Sequence, residues 1–132
     1  MSTLEQVRQV PGLEGWLARV EERLAEAVAA RPGLVAEVGA QALRAGGKRL
    51  RPLLAFLAAD EEPAPVAAGV AVELVHMATL VHDDLIDGAR VRRGHTAAWA
   101  AYGAGAARSA GDYLFARASS RGPGKRRTLA GR

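Results

Sequence analysis

The sequence predicts an all-α fold, an antiparallel helix bundle followed by a disordered basic tail. Three observations carry that expectation. Apolar residues make up 49% of the 132 residues, yet aromatics are only 5% and 29 positions are Ala, a mixture that suits Ala/Leu helix packing and starves a β-sandwich of the Val, Ile, Thr and aromatics it needs. Apolar positions recur at spacings of three and four through most of residues 1–118. From Ser119 the rhythm stops, and Gly, Pro, Ser and Arg follow with no hydrophobic period, a composition that cannot bury a core. The length suits one domain, with residues 1–118 as the body and 119–132 as the tail.

The elements follow in order. Leu13, Trp16, Leu17, Val20, Leu24, Ala27 and Val28 mark one face of a helix over 13–31, which Pro32 and Gly33 stop. A second helix fits Leu34 to Ala45, and Gly46-Gly47 breaks it. Pro52 is well placed near the start of a third, about Pro52 to Ala59, which ends in the polar turn Asp60-Glu61-Glu62-Pro63. Ala64 to Asp87 reads as a long helix, apolar nearly all round and therefore buried. After Gly88 come a basic loop over Arg90–Gly94, a helical patch over Thr96–Tyr102 and an apolar helix over Ala104–Ala118.

Charge and composition exclude several classes of function. The net charge of +4 suggests nucleic acid, but residues 118–132 hold five bases and no acid. Residues 1–117 hold 13 bases and 14 acids, so the body carries no basic footprint and no nucleic-acid partner is expected. With no cysteine there is no disulfide scaffold, zinc ribbon or thiol nucleophile. The first residues lack the basic, apolar and small-residue order of a secretory signal. The long apolar helix carries Glu73 and His76 mid-span, so the expectation is a cytoplasmic protein with no transmembrane segment.

The polar residues of that helix carry the chemistry. Glu73, His76, Asp83 and Asp87 fall at spacings of 3, 7 and 4 on one stripe, and buried charge needs a partner or a wet cavity. Carboxylates one turn apart can share hard divalent cations, and Mg²⁺ fills its octahedron from one or two carboxylates, water and phosphate oxygens. Asp83-Asp84-x-x-Asp87 therefore reads either as a metal clamp for a diphosphate or as a solvated helix end. The second reading sets negative charge against the helix dipole. In Gly46-Gly47-Lys48-Arg49-Leu50-Arg51-Pro52 the glycines admit an anion close to the backbone, and Lys48 and Arg51 lie within reach of one diphosphate. The other reading is an ordinary turn with solvated bases. The spacing is not that of a P-loop, and no strand precedes it. Arg92-Arg93 carries the same pair of readings.

Residues 46–52 (GGKRLRP), 73–87 (ELVHMATLVHDDLID), 92–94 (RRG) and 111–118 (GDYLFARA) together resemble the trans-isoprenyl diphosphate synthase (polyprenyl synthetase) family, over about residues 15–118. The resemblance implies the N-terminal half of an isoprenoid-synthase fold. It implies a Mg²⁺-dependent prenyltransferase of isoprenoid biosynthesis that condenses an allylic prenyl diphosphate with isopentenyl diphosphate. Lys48, Arg51 and His76, backed by Gly47, match positions that hold isopentenyl diphosphate; Arg93 matches another such position, and Arg92 the one that touches the allylic diphosphate. Asp83 and Asp87 match Mg²⁺ ligands, and Asp84 belongs to the same motif. No further catalytic side chain is implied, since the protein's part is positioning and electrostatic stabilisation. Ala78 and Thr79, small residues just upstream of the aspartates, imply an open product tunnel. Asp112 reads as a structural or capping carboxylate, and Trp16 and Trp99 as packing residues.

The match also has gaps. The family carries a second aspartate-rich motif on a later helix, whereas Asp112 is the last acidic residue here. His95 stands after Arg93-Gly94 where the family commonly has Pro. The expectation is a truncated or frame-shifted copy, inactive alone. The alternative is a non-catalytic subunit that binds a full-length synthase. As to assembly, a homodimer or a pairing with such a subunit is expected.

Overall fold

The computed structural model describes residues 2–45, 47–60 and 64–121. Seven helices and one hairpin appear among them: α1 (Thr3–Val7), α2 (Leu13–Ala29), α3 (Leu34–Ala45), α4 (Leu50–Ala58), α5 (Val66–Asp87), β1 (Val91–Arg92), β2 (His95–Thr96), α6 (Ala98–Tyr102) and α7 (Ala104–Arg121). The all-α antiparallel bundle is as the sequence predicts.

α5 is the central helix. It packs most extensively on α7, then on α4 and α2. Leu74, Met77 and Ala78 of α5 join Leu13, Trp16, Val20 and Leu24 of α2 and Leu114 of α7 in one core. By length and a mean hydropathy of 1.3, α5 also passes for a membrane span, but here it is flanked by the other helices of the bundle. The Trp16 indole N–H donates to the Ala64 carbonyl at 2.8 Å and its ring lies 5.1 Å from Phe56, which ties α2 to the start of α5. The close approach requires Gly69: a Cβ there would stand 2.6 Å from the Trp16 ring. Tyr113 of α7 donates its hydroxyl to Ala27 O at 2.8 Å and closes the bundle from the other side. A smaller cluster of Val38, Val81, Ala98, Ala107 and Ala110 seats α6 against α3, α5 and α7.

Four features depart from the sequence expectation. Ser2 and Glu5 cap each other reciprocally, Ser2 N–H to Glu5 Oε1 at 2.9 Å and Glu5 N–H to Ser2 Oγ at 3.1 Å, and so start α1, a helix the apolar rhythm does not reveal. The expected basic loop after Gly88 is a hairpin, with Val91 facing Thr96 and Arg92 facing His95. α4 starts two residues before Pro52, at Leu50. α7 runs to Arg121, so the first three residues assigned to the tail are helical. The rest of the expected disordered tail, from Gly122, lies outside the described residues, as do Gly46 and the Glu61-Glu62-Pro63 part of the expected turn.

Candidate functional site

The basic loop between α3 and α4 is held from behind by a residue that the sequence does not single out. Arg49 sits in the left-handed region at φ 56°, uncommon for a side chain of its size, and caps α4 from there. Its guanidinium is what keeps it in place. It donates to both carboxylate oxygens of Glu21 on α2, to Glu73 Oε2 on α5 at 3.3 Å and to Leu43 O at 3.0 Å. Arg8 adds a bond to the Lys48 carbonyl at 2.6 Å. With Arg49 turned inward, Lys48 and Arg51 on either side remain exposed.

The hairpin supplies the opposite wall. Its two turn residues, Arg93 and Gly94, both have positive φ, 52° and 80°, as the tight two-residue turn of a twisted hairpin demands. Gln41 of α3 donates to Thr96 O at 2.8 Å, which pins the hairpin to the bundle, and Ala97 N–H donates to Arg90 O at 2.7 Å, which closes the base of the hairpin. Arg93 thereby reaches back over the loop so closely that a Cβ on Gly47 would meet its Nη1 at 2.9 Å.

Between these walls lies a cleft of ≈ 280 Å³, lined by Gly47, Lys48, Arg49, Leu50, Arg51, Glu73, His76 and Arg93. Five of the six residues expected to hold diphosphates, Gly47, Lys48, Arg51, His76 and Arg93, are brought together there from three separate segments. The sixth, Arg92, lines an adjoining cavity with Asp84, Leu80 and Gln41, and Gly47, Glu73, His76 and Arg93 border both spaces. Burial, then the charges of Arg51, Arg93, Arg92 and Arg49, hold the His76 imidazolium below its ordinary pKa. His76 is therefore a neutral ring at pH 7, with one donor and one acceptor to offer.

The aspartates divide into two kinds. At 3.6 residues per turn Asp84 comes round to within about 20° of Glu73, whereas Asp83 lies about 80° away. Asp84 is accordingly buried, and both its oxygens accept from Arg92, Nε at 2.9 Å and Nη2 at 2.7 Å. That hydrogen bond, ahead of the nearby charges of Asp83 and Asp87, raises the Arg92 pKa above its ordinary value. Asp83 and Asp87 are exposed on the last turn of α5 and have no ion-pair partner among the described residues. The stripe seen in the sequence therefore splits, with Glu73, His76 and Asp84 facing the cavities and Asp83 and Asp87 facing solvent. No three His, Asp or Glu side chains converge on one point among the described residues. Two free carboxylates one turn apart still fit Mg²⁺ that draws its remaining ligands from water and phosphate.

The remaining expectations fall outside the cleft. Asp112 lies 3.4 Å from His82 Nε2, bridging α7 to α5 at the surface. Trp99 donates to Ala89 O at 2.7 Å under the Arg90 guanidinium, a packing role. Of the two small residues upstream of the aspartates, Ala78 is sealed in the core. Thr79 lines an open groove of ≈ 540 Å³ with Val72, Val75, Phe115 and Ala118, and Arg51 and His76 stand at its edge.

Comparison with known proteins gives the family and the fold. The family model described as polyprenyl synthetase matches residues 32–122. The chain is 47% identical over 110 residues to heptaprenyl diphosphate synthase component 2 of Geobacillus stearothermophilus, covering 80% of this chain and 34% of that one. It is 34% identical over 119 residues to octaprenyl diphosphate synthase of Escherichia coli, covering 87% and 36%. Among solved structures it is similar to a polyprenyl synthase from Caulobacter crescentus complexed with calcium and isoprenyl diphosphate, with a TM-score of 0.79, 31% identity, and coverage of 90% of this chain and 37% of that one. The heptaprenyl diphosphate synthase of Staphylococcus aureus gives a TM-score of 0.76 at 32% identity, covering 82% and 36%. The chain thus spans about a third of the length of the curated relatives it matches.

Proposed function

The chain belongs to the polyprenyl synthetase family, and from that premise we propose that it carries the isopentenyl diphosphate cleft and the first metal-binding carboxylates of a prenyl-transferring enzyme. The observation that supports this most is the convergence of Lys48, Arg51, His76 and Arg93, from the α3–α4 loop, α4, α5 and the hairpin, on one cleft backed by Gly47. Three guanidinium or ammonium groups around one small space, Lys48, Arg51 and Arg93, suit a dianion or trianion far better than any neutral ligand.

In this reading Lys48, Arg51 and Arg93 bind the diphosphate of isopentenyl diphosphate, and neutral His76 donates to one of its oxygens. Arg92, aimed by Asp84, faces the allylic diphosphate, and Asp83 and Asp87 hold Mg²⁺. When bound, the metal offsets the charge that develops on the departing diphosphate. The chain's own residues position the two substrates and hold charge in place. The groove beside Thr79, Val75 and Phe115 is where an apolar prenyl tail would lie. The setting we propose is cytoplasmic, with α5 as a core helix.

Because these residues correspond to about a third of a relative, we propose that the 132 residues alone do not turn over. Prenyl transfer then needs the remainder of a synthase, in the same or another polypeptide. A second reading, a subunit that serves a full-length synthase, draws on the "component 2" in the names of two relatives. Assays with geranyl diphosphate, isopentenyl diphosphate and Mg²⁺ separate these readings. We expect no product from the 132-residue chain and product once the missing two thirds of a relative is supplied. Turnover by the chain alone overturns the requirement, and turnover gained only with an intact synthase favours the subunit reading.

A further inference from the structure

Among the cations of the cleft stands one carboxylate, and half of it is unaccounted for. Glu73 Oε2 accepts from Arg49 at 3.3 Å, while Oε1 is buried and has no hydrogen-bond partner among the described residues. The residue is 2% exposed and borders both the cleft and the adjoining cavity. The charged groups around it come from every neighbouring element. Arg51 approaches from α4 and Arg49 from the cap just before it, Glu21 from α2 through Arg49, and Lys48 and Arg93 from the facing walls, with His76 one turn along α5. Arg92 and Asp84 are already paired across the adjoining cavity.

A buried acceptor without a donor is unfavourable, and a diphosphate arriving among these cations brings like charge toward it. A single event relieves both problems. We infer that an anion bound among Lys48, Arg51, His76 and Arg93 is taken up together with a proton on Glu73 Oε1. The inference rests on the diphosphate reading above. One O–H bond forms at Oε1 with a proton from solvent, and no other bond changes. The unpaired acceptor becomes a donor on the wall of an anion site. Burial already holds Glu73 above its ordinary carboxylate value, against the pull of Arg49 and Arg51. A bound anion offsets Arg51 and adds its own charge, and both effects act in the same direction.

Calorimetry with inorganic pyrophosphate in two buffers of different ionisation enthalpy counts the protons taken up by wild type and by Glu73→Gln. The ligand and His76 titrate in both proteins, so the difference belongs to Glu73. Wild type is expected to take up more, by at most about one proton. At high pH Glu73→Gln is expected to bind more tightly, about tenfold for each unit by which the bound anion raises the Glu73 pKa, with the two proteins converging at low pH. Carboxyl-carbon NMR of ¹³C-labelled wild type needs no variant: the Glu73 resonance is expected to move toward the protonated position on adding pyrophosphate. Pyrophosphate binding with equal proton uptake and an unmoved resonance overturns the coupling alone. Absence of pyrophosphate binding overturns the diphosphate reading and the coupling with it.

Discussion

Asp84 holds Arg92 through both carboxylate oxygens, with contacts of 2.7 and 2.9 Å between the end of α5 and the first strand of the hairpin. The pair joins two segments that the sequence shows only as neighbouring motifs, and it sets Asp84 apart from Asp83 and Asp87.

That difference is measurable. Asp84→Ala removes a buried, bidentate acceptor and is expected to destabilise the fold by about 1–3 kcal/mol. Asp83→Ala and Asp87→Ala, at exposed positions without ion-pair partners among the described residues, are expected to stay within about 0.5 kcal/mol of wild type. Urea unfolding of the three variants checks this. The expected effect of the exposed pair is instead on Mg²⁺-dependent binding of pyrophosphate.

Two glycines should fail in opposite ways. Gly69→Ala sets a Cβ 2.6 Å from the rigid Trp16 ring and 3.1 Å from Val20, so it is expected to cost about 1–3 kcal/mol of stability. Gly47→Ala meets only the movable end of Arg93, at 2.9 Å. Its thermal unfolding is expected to be near that of wild type, and its pyrophosphate affinity to fall several-fold as Arg93 is pushed aside.

Arg93 carries two duties that one substitution separates. Its φ of 52° disfavours a long side chain, and Asn accepts that conformation readily. Arg93→Asn is therefore expected to leave the fold equally stable or more so, by up to about 1 kcal/mol, while weakening anion binding about tenfold or more. Thermal melts and calorimetry on the same sample test both halves.

Stability should also depend on pH through Glu73. Below its ordinary value of 4.5 the group is protonated in both states and no penalty arises. Between that value and the raised folded value, the folded protein keeps a proton that the unfolded chain has released, so the unfolding free energy falls as pH rises. Above the raised value the loss is complete. The melting temperature of wild type minus that of Glu73→Gln is expected to decline across this window and then level.

How far the sequence reveals this molecule depends on where each signal lies. The rhythm from Leu13 to Val28 and the limits Leu34 to Ala45 are legible because one apolar face and a Pro or Gly stop decide them locally. The cleft residues are legible as types, since Lys48, Arg51, His76 and Arg93 have no apolar role to play. What holds them is not legible. Arg49 lies inside the same basic run, and only long-range packing turns it inward to Glu21 and Glu73. The hairpin is hidden because Arg-Gly, rather than Asn-Gly, occupies its turn. Ser2 and Glu5 do carry the signature of a helix start, but five residues are too few for a periodic face.

In the proposed function Lys48, Arg51, His76 and Arg93 form one site for the diphosphate of isopentenyl diphosphate. Calorimetry with isopentenyl diphosphate and Mg²⁺ tests it most directly, on wild type, Lys48→Ala and Arg93→Ala. Saturable binding to wild type is expected, with a loss of about tenfold or more in each variant, the size of one charge-assisted hydrogen bond removed. Absence of binding to wild type, or equal affinity in all three proteins, would contradict it.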